Sequence, residues 1–229
     1  SILDASMANG SGDLKVTYGA VAAGSSDVQD LTVSNVSSAT ATFASVETVN
    51  VTSSLVKSTL TDLVIDGAST LNISGDAALT ITNDVDFKDA TSSTALDGTV
   101  DASALTGALT FTPNASDNVS ITGGSGDDVF KMGAGLNFYD TITGGAGADT
   151  VTMSLAAATG AEAAYSYQLL NLSGIETLDV TSTNDAASVS MGSISSDITT
   201  IALGSNVRTL TLADGDAVDS TAISFVLNG

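Results

Sequence analysis

The chain has no cysteine, no histidine, no tryptophan and a single proline, and only 5 of its 229 residues are basic. Without Cys or His there is no disulfide, no thiolate or imidazole metal site, no iron–sulfur cluster and no Ser-His-Asp or Cys-His catalytic pair. Any metal must therefore be held by oxygen. The lack of Cys leaves the compartment open but excludes a disulfide-stapled miniprotein. Set against 26 acidic residues, the few bases leave a net charge of −21 and a pI near 4.1, which excludes nucleic acid as a partner. No apolar run approaches the roughly 18 residues of a membrane span. The first basic residue is Lys15, so no secretory n-region precedes an apolar segment, and any export address lies elsewhere. The opening Ser-Ile-Leu-Asp, without an initiator Met, reads as a piece of a longer chain.

What is present is a core-forming composition: 43% hydrophobic and 14% charged, the latter well below the roughly 25% of an average soluble domain. The acids are 23 Asp and only 3 Glu, and Ser and Thr together supply 63 residues, so good helix formers are scarce and strands and turns are favoured. Short β-branched and apolar runs alternate with period two at 31–33, 49–52, 63–65, 71–73, 79–82, 109–112, 119–121, 151–153, 178–181, 189–191, 201–203 and 210–212. Gly, Asp, Asn and Ser separate most of them, as turns require. Strands this short, joined by connections this small, suit the stacked rungs of a parallel β-solenoid, with an antiparallel sandwich as the alternative. A solenoid also explains how 6 Phe and 4 Tyr suffice, because stacked Val, Ile, Leu and Thr rows bury area without large aromatics.

The expected organisation is all-β: solenoid rungs over 1–112, a short calcium-binding roll over 113–153, and a short helix followed by further rungs over 154–229. The helix is expected around 160–171, where Ala161, Glu162, Ala163, Ala164, Gln168, Leu169 and Leu170 collect. Tyr165, Leu169 and Leu172 would fall on one face, suiting a plug or cap on the solenoid. Ser45–Ser54 and Gly174–Thr183 match each other 129 residues apart with Glu47 and Glu176 in register, which implies a repeated unit and a shared capping or pairing role for the two glutamates.

The strongest chemical signal lies between 123 and 152. Gly123-Gly124-Ser125-Gly126-Asp127-Asp128-Val129-Phe130-Lys131 fits the nonapeptide G-G-x-G-x-D-x-U-x at every fixed position, and Gly144-Gly145-Ala146-Gly147-Ala148-Asp149-Thr150-Val151-Thr152 fits it again. Between them an interrupted copy keeps Gly133, Gly135 and Asp140 but lacks the first Gly, at Met132, and carries the insertion Asn137-Phe138-Tyr139. Glycines let carbonyl oxygens converge and the sixth-position Asp adds a carboxylate, so each turn is half of an oxygen cage. Each turn is followed by a short strand, so successive turns lie on opposite edges and turn 123–128 stacks on 144–149. Calcium, a hard cation taking six to eight oxygens, would sit between those two turns, held by Asp128, Asp149 and backbone carbonyls. A second, weaker site would pair the interrupted turn, through Gly133, Gly135 and Asp140, with the upstream turn Pro113–Asp117, through Asp117.

The 123–152 run resembles the RTX repeats of type I secreted bacterial proteins, and the wider stretches 69–152 and 174–181 are similar to crystalline surface-layer (S-layer) proteins of the Caulobacter type. The resemblance covers about half the chain. It implies a secreted, cell-surface structural protein, not an enzyme, whose copies assemble through calcium into a two-dimensional lattice, with cell-surface polysaccharide bound through another part of the chain. It also implies a ligand set: carbonyls of Gly123 and Ser125 with Asp128 from the earlier turn, and carbonyls of Gly145 and Gly147 with Asp149 from the later. The competing functions are an RTX adhesin domain and a calcium-dependent polysaccharide-active β-helix. Catalysis is disfavoured because Lys15, Lys57, Lys88, Lys131 and Arg208 are scattered. The S-x-x-K of Ser54–Lys57 lacks its partner motifs. The Asp214–Asp219 and Asp84–Asp86 acids could form further oxygen-ligand loops, but neither completes an EF-hand pattern and both read first as turn residues.

Overall fold

A computed structural model describes residues 2–16, 26–87, 94–155, 171–182, 187–191, 197–204, 207–212 and 224–228. Every strand pairing in it is parallel, and the chain winds alternately through two sheets. The first sheet stacks β1 (Ile2–Gly10), β3 (Val28–Val36), β5 (Thr48–Ser53), β7 (Thr70–Gly75), β9 (Gly98–Leu105), β11 (Val119–Thr122), β13 (Thr141–Thr143) and β15 (Leu172–Ser173). The second stacks β2 (Leu14–Val16), β4 (Ala39–Phe43), β6 (Ser58–Val64), β8 (Leu79–Ile81), β10 (Leu109–Phe111), β12 (Val129–Gly133), β14 (Thr150–Leu155), β16 (Thr177–Ser182), β18 (Thr200–Gly204) and β20 (Ser224–Asn228). From β1 to β16 each turn of the coil contributes one strand to each sheet. This is the expected parallel β-solenoid, and the 113–153 stretch continues both sheets without a break.

Period-two alternation turns one side of every strand inward, and parallel in-register stacking lines up those side chains as rows about 4.8 Å apart. One row of the second sheet runs Leu60, Ile81, Phe111, Phe130, Val151, Leu178, Ile201 and Phe225. All but the last are fully buried, and Phe225 is half exposed at the end of the stack. Outward rows are polar and hydrogen-bond along the axis. Asn50 Nδ2 donates to Asp30 Oδ1 at 2.6 Å and Asn72 Nδ2 to Asn50 Oδ1 at 2.8 Å, so one carboxylate starts an amide ladder across three rungs.

One feature was not anticipated. β17 (Ala187–Met191) and β19 (Val207–Leu212) leave the main stack and pair with each other as a separate two-stranded sheet. The helix expected around 160–171 falls on residues outside the described set, apart from Asn171 at its end, as do Asp214–Asp219.

Candidate calcium-binding corners

The two nonapeptide turns lie on the same edge of the solenoid, one rung apart. β12 pairs with β14, Val129 against Thr150 and Phe130 against Val151, which brings corner 123–128 onto corner 144–149. The interrupted turn lies on the opposite edge, as the alternation of sheets demands. Two bonds join the corners: Ala146 N–H donates to the backbone Gly124 O at 3.0 Å, and Ala148 N–H to the Asp127 side-chain Oδ1 at 2.8 Å. Glycine is required here. Gly145 has φ +109°, and a Cβ on it would collide with Gly124 O.

Rows explain why the acids matter. The inward row at the start of the second sheet's strands reads Ser58, Leu79 and Leu109, and continues through Asp128, Asp149 and Glu176. Three carboxylates thus take up a row that leucines occupy upstream, and Asp128 and Asp149 are fully buried there. Burying charge in an apolar row is costly unless donors meet it. The donors come from the preceding rung. Asp128 Oδ1 accepts Leu109 N–H at 2.7 Å, Asp149 Oδ1 accepts Asp128 N–H at 2.8 Å, and Glu176 Oε2 accepts Asp149 N–H at 2.7 Å.

The same device appears in the first sheet, where Glu47 Oε2 accepts Asp27 N–H at 2.7 Å and Asp140 Oδ1 accepts Val119 N–H at 2.9 Å. The role inferred for Glu47 and Glu176 from their sequence match is therefore the observed one, although the two lie in opposite sheets.

Donors do not cancel the electrostatics. Burial pushes the Asp128 carboxyl above its ordinary value, against the opposing pull of the Leu109 and Gly124 N–H groups. Asp149 is raised from 3.8 to about 6, chiefly by burial, with the charges of Asp128, Glu176 and Asp127 adding to the shift. Asp149 Oδ2 has no hydrogen-bond partner and is buried.

These residues fit an oxygen-ligated cation. The corner holds two buried carboxylates, one with an uncommitted oxygen, and the carbonyls of Gly123, Ser125, Gly145 and Gly147 take no part in the backbone bonds that join the two turns. Among the described residues no group of three or more His, Cys, Asp or Glu side chains converges as a metal site, so carbonyls would have to supply much of any coordination shell.

The other predicted pair is less well aligned. Gly135 stacks against Ala115, where an added Cβ would lie 2.6 Å from Ala115 Cα, so turn 134–140 does lie on turn 113–117. Ser120 pairs with Thr141, however, which sets buried Asp140 level with Val119 and not with Asp117. Both Asp140 oxygens accept backbone N–H groups, from Val119 and Asn137, while Asp117 Oδ2 accepts Phe87 N–H at 2.9 Å. Gly133 ends β12 at φ +54°, and Gly135 O accepts Asn137 Nδ2 at 3.2 Å. The structure brings Asp128 and Asp149 into one row and leaves Asp117 and Asp140 in different ones.

Comparison of the chain with protein-family models, with curated proteins and with solved structures finds no match in any of the three.

Proposed function

We propose that the chain is a calcium-dependent structural segment of a bacterial S-layer protein, contributing rungs and lattice contacts to a two-dimensional cell coat and performing no chemistry. The observation that carries this reading is the buried row Asp128–Asp149 inside stacked glycine corners. When bound, calcium supplies the positive charge that these inward carboxylates lack. Asp128, Asp149 and the carbonyls of Gly123, Ser125, Gly145 and Gly147 would hold it. Since a net charge of −21 repels itself in a compact body, divalent binding would contribute directly to folding free energy.

The lattice part of the reading draws on the resemblance of the glycine–aspartate run and on the polar outward ladders, which offer repeated hydrogen-bonding faces to copies of the chain. One observation favours the adhesin alternative. Phe138 and Tyr139, carried on the insertion, are about half exposed and meet edge to face with centroids 5.7 Å apart, a surface suited to stacking on sugar rings.

Electron microscopy of chelator-treated protein, before and after millimolar calcium is restored, separates these readings. Ordered sheets that appear only with calcium are expected. Calcium-dependent melting without sheets would transfer the assignment to the adhesin, and melting indifferent to calcium would overturn both.

A further inference from the structure

We infer that a second divalent-cation site lies one rung beyond the first, between corner 144–149 and the turn ending in Glu176, with Glu176 in the place that Asp149 takes in the first site. The inference rests on the calcium reading of the first pair of corners and extends it to residues outside the nonapeptide pattern.

It starts from the unmet oxygen. Asp128 and Asp149 sit in equivalent corners, and in each Oδ1 reaches back to an N–H of the preceding rung. Asp128 Oδ2 is satisfied by Gly124 N–H at 2.7 Å. No such bond reaches Asp149 Oδ2, and this oxygen stays buried without a partner; the corresponding Gly145 has φ +109°. Its position is defined by its neighbours. The space that a methyl group would fill on Gly144 is bounded on one side by Asp149 Oδ2 and on another by the carbonyl oxygen of Gly174, in the following rung. The unmet carboxylate oxygen and the next rung's carbonyl oxygen therefore border the same small space, and two oxygens so placed repel unless a cation or proton lies between them.

The third oxygen donor comes from the same turn. Glu176 Oε2 accepts Asp149 N–H at 2.7 Å, matching the 2.8 Å bond by which Asp149 grips Asp128 N–H. Gly144 N–H to Ser173 O at 2.9 Å and Glu176 N–H to Asp149 O at 3.1 Å seat that turn on the corner. Gly174 takes φ +58°, the left-handed region, at the residue whose carbonyl faces the gap. Neither acid has a basic partner among the described residues. Two carboxylates and a convergent carbonyl, all oxygen, suit a hard divalent cation such as calcium, with water completing the shell.

Native mass spectrometry of the chelator-stripped chain, resupplied with calcium alone, counts the ions on wild type, Asp128→Asn, Glu176→Gln and Glu47→Gln. Gln keeps an oxygen to accept the backbone N–H, so the glutamate variants retain the fold. Glu47→Gln reports the effect of losing a row carboxylate where no ion is expected. The inference predicts that Glu176→Gln loses one ion, that Asp128→Asn loses one and retains the other, and that Glu47→Gln keeps the wild-type number. If Asp128→Asn loses an ion while Glu176→Gln binds as many as wild type, the second site is refuted and the first stands. If wild type binds none, both fail.

Discussion

Replacing Asp128 with Ala removes a buried carboxylate that accepts two backbone N–H groups, from Leu109 and Gly124, each at 2.7 Å. Both donors are then stranded inside the corner. A buried donor without a partner costs about 1–3 kcal/mol, so the pair gives about 2–6 kcal/mol. Part of this is returned, because burial penalises the ionised carboxylate and Ala removes it, so the net loss should lie in the lower part of that range. Asp128→Asn keeps one acceptor oxygen and should cost about half as much. The assay is urea unfolding in chelator, which isolates the hydrogen bonds from ion binding. With m near 1–3 kcal/mol/M, a loss of about 2 kcal/mol or more should lower the midpoint by roughly 0.7–2 M or more at unchanged m. A loss below about 0.5 kcal/mol for Asp128→Ala, the range of an ordinary surface change, would refute the claim that this row organises the corner.

The pH dependence should invert with calcium. In the ion-free protein Asp149 has its folded pKa raised from 3.8 to about 6, so its stabilising contribution is complete below about pH 4 and is lost as pH rises through 6. At about 1.4 kcal/mol per unit, cut by solvent screening, this amounts to about 1–2 kcal/mol. With calcium bound the carboxylates must be ionised, so stability should instead rise between pH 4 and 7; Tm against pH in chelator and in calcium reads the two slopes. Gly145→Ala forces φ +109° on an L-residue and drives Cβ into Gly124 O, so chemical denaturation should show a loss above about 2 kcal/mol. Gly12→Ala, which meets nothing within 4 Å, should change stability by less than about 0.5 kcal/mol in the same measurement. Phe130→Ala empties the middle of a fully buried row and should cost about 3–5 kcal/mol by the same denaturation.

The rungs were readable because strand burial follows a period of two, and residues such as Val49, Val51, Leu71 and Ile73 sit inward as their alternation requires. The nonapeptides carried more, since a turn followed by a three-residue strand fixes which corners share an edge. Turn 123–128 accordingly lies on 144–149. The pairing of Glu47 with Glu176 was legible as a shared task but not as a shared row position, because the two belong to opposite sheets. What the residues did not disclose is that Asp128, Asp149 and Glu176 prolong the row of Leu79 and Leu109. That depends on register between rungs separated by connections of unequal length, such as the long one joining β8 to β9 and the short one joining β11 to β12. Local pattern does not fix such registers. The mismatch between Asp117 and Asp140 has the same cause: stacking of their turns was foreseen, but the two-residue offset along the strands was not. The departure of β17 and β19 from the stack involves Val189–Met191 and Leu210–Leu212, whose alternation is the same as that of any rung.

Thermal unfolding of the chelator-stripped chain during a calcium titration reads whether a divalent ion binds between the corners that hold Asp128 and Asp149. A site of this kind should stabilise the fold by about 2.7 kcal/mol once free calcium reaches a hundred times its dissociation constant, with Tm climbing as calcium rises and magnesium failing to replace it. A Tm that stays constant up to millimolar calcium would contradict the account.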